Sequence, residues 1–164
     1  MANYIYPAPG TSNVEATLKL KVASNVADTG LTIPSLQDIT VNAANDTFTW
    51  TQLDEGSKQQ IATTATNSLN TNLVLNQTTF FGTTGSGGTT AAALGVFGAS
   101  TDKTLMTFSL YMGDESDGSA GKYLEGNGYV TGLAPTVSAD EPVWVSPVTI
   151  SITGDYTVAD SGTF

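Results

Sequence analysis

Three neighbouring pairs of acids are the first residues that invite a chemical reading: Asp54-Glu55, Asp114-Glu115 and Asp140-Glu141. Two carboxylates work as acid and base only where their surroundings push their pKa values apart, which requires a pocket. All three pairs fall in stretches predicted to be loops, where carboxylates are hydrated and behave alike. The run Asp114-Glu115-Ser116-Asp117-Gly118 has a calcium-loop composition but lacks the ligand spacing and the closing Glu of an EF-hand. Gly82-Thr83-Thr84-Gly85-Ser86-Gly87-Gly88 has the glycines of a phosphate-cradling loop. No Lys-Ser/Thr follows it and no strand–helix–strand unit frames it, so it reads as a connector. Trp50, Trp144, Tyr111, Tyr123 and Tyr129 could build a sugar platform, although aromatics on alternating strands more commonly serve as core or cross-strand partners. The sequons Asn45-Asp46-Thr47 and Asn76-Gln77-Thr78 carry meaning only in an exported chain. The residues thus imply no catalytic centre, no metal site and no cofactor.

Composition closes further classes. The 164 residues include no Cys and no His. Disulfides, thiol catalysis, Ser-His-Asp chemistry and ordinary zinc sites are excluded together. Fifteen acids face five basic residues, Lys19, Lys21, Lys58, Lys103 and Lys122, so there is no Arg and the formal net charge is -10. Without the guanidinium that grips phosphate bidentately, specific nucleic-acid binding is not expected. The start, MANYIYPAPG, has no basic segment leading into an apolar one. No apolar run is long enough to span a bilayer. The expectation is a chain made and assembled in the cytoplasm, without a membrane partner.

The elements that must position these residues are mostly strands. Short alternating runs predict an antiparallel β protein. They lie at 16–24, where Leu18, Leu20 and Val22 alternate with Thr17, Lys19 and Lys21, and at 37–43, 47–52, 67–76, 104–112, 122–133 and 147–158. The turn Ala44-Asn45-Asp46 is expected to join the second and third of these as a hairpin. In the fourth, Leu69, Leu73 and Leu75 fall on one face and Ser68, Asn70 and Asn72 on the other. Thr89-Thr90 followed by AAALGVFG predicts one short capped helix whose Leu94 and Phe97 pack on the sheet. The stretches 53–66, 77–88 and 113–121 read as flexible loops. No internal repeat and no second domain is visible, so 1–164 reads as one domain, with 1–15 as an extended N-terminal arm.

The C-terminal third carries the most specific pattern. Lys122-Tyr123-Leu124-Glu125-Gly126-Asn127-Gly128-Tyr129-Val130-Thr131-Gly132-Leu133 is followed by a turn through Asp140-Glu141-Pro142 and then by Ser151-Ile152-Thr153-Gly154-Asp155-Tyr156-Thr157. This order resembles the end of the major tail tube proteins of tailed bacteriophages. Phe48–Gly56, the TTFFG segment at 78–82 and the helix around Leu94–Phe97 are similar to the middle of the same family. The resemblance spans roughly residues 38 to 157 and rests on the order of the segments. It implies a β-sandwich or half-barrel with one flanking helix, joined to its neighbours by inter-subunit sheets. It implies hexameric rings stacked into a tube in the virion tail. It also implies tape-measure, tail-tip and tail-terminator partners, a sheath if the tail is contractile, and transient passage of DNA. On that reading Ser68, Asn70, Asn72, Glu125 and Asn127 are lumen candidates, and the five lysines point outward or pair with acids. Asp54, Glu55, Lys58, Asp114, Glu115 and Asp117 are candidates for contacts between subunits or rings. The rival reading is a sugar-binding or adhesive β-sandwich module; a hydrolase is a distant third.

Overall fold

Strict alternation of apolar and polar side chains builds the first strand, β1 (Ala16–Val22), whose Leu18, Leu20 and Val22 are buried while Thr17, Lys19 and Lys21 are not. The computed structural model describes residues 16–34, 36–51, 57–63, 66–113, 121–140 and 142–164. After β1 come β2 (Leu31–Ile33), β3 (Leu36–Asn42), β4 (Asp46–Thr51), β5 (Lys58–Thr63) and β6 (Ser68–Val74). Two helices, α1 (Gln77–Phe81) and α2 (Ala91–Thr101), precede β7 (Met106–Met112), β8 (Lys122–Leu133) and β9 (Val145–Ala159). Seven strands form one curled antiparallel sheet, a half-barrel, in the order β2-β1-β7-β8-β9-β6-β3. Strands β4 and β5 form a separate hairpin.

The core lies on one face of the sheet. Leu18, Leu20, Phe108, Leu110, Leu69 and Ile150 are almost fully buried there, together with Leu94, Val96 and Phe80 from the helices. Asp28 ties this side together: its carboxylate, 6% exposed, accepts hydrogen bonds from the backbone N–H of Val22 (2.8 Å), Ala91 (2.8 Å) and Gly30 (3.1 Å). One side chain thereby satisfies the end of β1, the turn before β2 and the first turn of α2. The helices meet through bare backbone. Gly95 lies at φ 64° and ψ -176°, which kinks α2, and a Cβ there would sit 2.3 Å from Gly82 N.

Several expectations need correction. The segment at 37–43 does not pair with that at 47–52; β3 pairs with β6 and β4 with β5. Ile39 and Val41 bury themselves against the core beside Thr71 and Leu69, and that non-local burial outweighs the local turn. The stretch 53–66, expected as a loop, contains β5, and 77–88 opens with α1. The Asn76 side chain caps α1 by accepting from the N–H of Thr78 and Thr79. The capped helix begins as expected, with Thr90 as N-cap, but runs on past Gly98 to Thr101. Leu94 is buried, whereas Phe97 stays 43% exposed in a cluster with Phe80 and Phe81.

Candidate functional site

The face of the sheet opposite the core is a continuous polar surface, built because every second residue of each strand points there. The register aligns Lys19, Ser109, Glu125 and Thr157 in one row and Lys21, Thr107, Asn127 and Thr153 in the next. Farther across, Ser151, Ser68 and Asn42 form one row, and Thr149, Asn70 and Thr40 another. Asn72 pairs with Asp38.

These groups satisfy one another across strands. Asn72 donates through Nδ2 to Asp38 Oδ2 at 2.7 Å. Thr149 donates to Asn70 Oδ1 at 2.8 Å, and Asn70 Nδ2 donates to Ser68 Oγ at 3.2 Å. Asn42 Nδ2 reaches the same Ser68 Oγ at 3.4 Å. Thr131 and Ser151 share a hydroxyl pair at 2.9 Å, and Thr107 donates to Asn127 Oδ1 at 2.8 Å. Such ladders hold a polar surface in fixed rotamers with few groups free to seize a passing ligand. The charged residues at the register-paired positions of this face are Lys19, Lys21, Asp38 and Glu125, of which Glu125 is buried.

Ser68, Asn70, Asn72, Glu125 and Asn127, singled out from the sequence, all stand on this face. Asn127 is exposed and the three β6 residues are half-buried within their ladder. Glu125 differs, being only 7% exposed because the C-terminal segment lies over it. Thr163 donates its backbone N–H to Oε1 at 2.8 Å and its hydroxyl to Oε2 at 2.7 Å, and Ser109 donates to Oε1 at 2.8 Å. Burial by itself would raise the Glu125 carboxyl. The hydrogen bonds from Thr163 and Ser109, helped by the Lys21 charge, outweigh burial and hold it below the ordinary carboxylate value. Nothing in the sequence pattern signals this cover, since Thr163 lies 38 positions away.

The expectation that the lysines point away from the lumen candidates or pair with acids needs correction for two of them: the strand alternation puts Lys19 and Lys21 on the polar face in the rows of Glu125 and Asn127, with Lys21 Nζ 4.7 Å from the centre of the Phe164 ring. Lys122 is paired with Asp160. Lys58, assigned to a loop, lies in β5. Asp54, Glu55, Asp114, Glu115, Asp117 and Glu141 lie outside the described residues. Asp140 is exposed. Among the described residues no group of three or more acids, His or Cys is placed to hold a metal ion. The aromatics proposed as a platform are dispersed. Trp50 is on the β4–β5 hairpin, Trp144 lies beside β9, and Tyr111 and Tyr123 pair on the polar face with ring centres 4.8 Å apart.

No family model and no curated protein matches the sequence. Solved structures do match its fold. The tail protein of an empty gene transfer agent particle, refined with C6 helical symmetry, superposes with a TM-score of 0.60 at 12% identity, over 93% of this chain and 99% of that one. The sheath/tube terminator of an extracellular contractile injection system, PVC, gives 0.56 at 13% identity, over 94% and 97%. The SPP1 tail tube gives 0.51 at 13% identity, over 87% and 75%. At such identities the likeness is one of fold: the curled sheet with short helices against its core face superposes on chains of tail and tail tube structures.

Proposed function

We propose that the protein is a structural subunit of a virion tail: copies form hexameric rings, and the rings stack into a hollow tube whose lumen conducts DNA. The observation that carries this reading is the polar face, its hydroxyls and amides side-chain-bonded across strands and backed by an apolar core. A wall that conducts DNA must not hold it, because each cationic contact to phosphate is strengthened by counterion release. Ser68, Asn70, Asn72 and Asn127 offer hydrogen-bonding amides and a hydroxyl already engaged with neighbours. Glu125 lies beneath Thr163, its charge compensated in part by Lys21. The C6 symmetry of the gene transfer agent tail supports six-fold rings.

The outer edges of β2 and β3 end the sheet and favour strand pairing with neighbouring subunits. Tail-terminator, tail-tip and tape-measure proteins follow as partners, with a sheath in a contractile tail. Asp54, Glu55, Lys58, Asp114, Glu115 and Asp117 remain candidates for contacts between subunits or rings. The rival sugar-binding reading gains nothing from aromatics spread over three surfaces. Electron microscopy of the purified protein at rising concentration tests the proposal. Six-fold rings or hollow tubes are expected, and a population of lone monomers at every concentration would refute it.

A further inference from the structure

Two cations stand on a face whose proposed task is to let a polyanion pass. Lys19 and Lys21 project there from β1, and both are half-buried. A lysine left free on such a wall would hold phosphate through counterion release. In a ring of the C6 symmetry found in the gene transfer agent tail, the same lysine would recur at every copy. A contact weak at one subunit would then become a collective grip.

The segment 160–164 crosses this face and delivers a cover to one of the two. Asp160, just past β9, pairs with Lys122 at the start of β8. Gly162 then passes against the Tyr123 ring, where a Cβ would sit 2.7 Å from Cε1. Thr163 is fixed on Glu125 by the N–H bond of 2.8 Å and the hydroxyl bond of 2.7 Å. Ser109 of β7 donates to the same carboxylate at 2.8 Å, which holds the anchor in place. Phe164 reaches β1, with its ring over Lys21 Nζ at 4.7 Å. The ring edge rests on Gly30, where a Cβ would sit 2.9 Å from Cδ2. Anchor and cover are thus separate parts: Glu125 fixes Thr163, and Thr163 delivers Phe164.

We infer that Phe164 masks the Lys21 ammonium so that the polar face does not retain nucleic-acid phosphate, and that Glu125 is the positioning residue that holds this mask through Thr163. The negative face of an aromatic ring attracts an ammonium group lying over it. A phosphate must displace that ring before it can pair with the lysine. The buried Glu125 charge beneath the segment opposes the same phosphate. The mask accounts for a cation placed where a DNA-conducting wall should avoid one. The inference rests on the tube-subunit reading for its setting, but the contact belongs to each subunit and can be tested there.

Amine acylation followed by mass spectrometry reads each lysine separately in dilute protein. Phe164→Ser should speed acylation of Lys21 by roughly two- to five-fold, the scale of an exposed cation–π contact. The exposed Lys103 should not change, and Phe164→Trp should keep Lys21 at the parent rate. Thr163→Pro removes both donors while leaving the Glu125 charge, and should match Phe164→Ser. An unchanged Lys21 rate in Phe164→Ser would overturn the mask, and an unchanged rate in Thr163→Pro would overturn the role of Glu125 as its anchor. Assembled tubes carrying Phe164→Ser should retain a labelled DNA duplex at about 50 mM salt and release it toward about 200 mM. Adding Lys21→Gln should restore release at both. Tubes of Phe164→Ser that release DNA as the parent does would overturn the inference and leave the tube reading intact. A parent that forms no tubes would overturn the tube reading and the DNA-clearing role with it.

Discussion

Replacing Gly95 by alanine should destabilise the protein far more than the same change at Gly87, although both glycines have positive φ. Gly87, at φ 79°, has open space where a Cβ would go. Its replacement therefore costs only the left-handed backbone conformation, roughly 1–2 kcal/mol. Gly95 has φ 64° with ψ -176°, a region essentially reserved for glycine, in which a side chain costs of order 1–3 kcal/mol. In addition, its Cβ would fall 2.3 Å from Gly82 N, 2.6 Å from Phe80 O and 2.7 Å from the Phe81 carbonyl carbon. All three are backbone atoms and cannot swing aside. Forcing α1 from α2 adds about 1–3 kcal/mol of overpacking. The sum is roughly 2–6 kcal/mol, a large part of the 5–15 kcal/mol typical of a domain. Scanning calorimetry should show Gly95→Ala melting about 5–20 °C below the parent and Gly87→Ala within about 8 °C, at roughly 2–4 °C per kcal/mol for this size. Equal losses at the two sites would refute the argument from close backbone approach.

Asp28→Ala should cost about 3 kcal/mol or more, since it strands the N–H groups of Val22, Gly30 and Ala91. Asp28→Asn should recover part of that, and urea unfolding distinguishes the three proteins. The docking of Thr163 on Glu125 should depend on pH. The folded carboxyl lies below its ordinary value, so its contribution is complete above the unfolded pKa, near 4.3, and is lost as pH falls through the lower folded value. The Thr163 amide resonance should stay fixed from pH 7 to about 5 and move only below that; Glu125→Gln should release it at every pH. On the proposed lumen wall, Asn70→Lys together with Asn72→Lys should make assembled tubes retain DNA at 50 mM salt and release it steeply toward 200 mM. Retention that ignores salt would contradict the electrostatic reasoning.

The sequence alone shows which residues of each strand face each way. Leu18, Leu20 and Val22 read as inward, and Ser68, Asn70 and Asn72 as outward, because side-chain direction has a period of two and is written locally. It also excludes whole chemistries, since no fold can supply His, Cys or Arg that the chain lacks. Strand pairing was not legible in the same way. The turn at 44–46 suggested a local hairpin, but Ile39 and Val41 reach the core only beside β6, and the apolar alternation of β4 is left to pair with β5. β2 is three residues long and gives no periodic signal. The cover that Thr163 lays over Glu125 belongs to the same class. Each arises from segments far apart in sequence whose meeting is decided by which arrangement buries the most apolar surface and leaves the fewest polar groups unpaired, a balance struck over the whole chain.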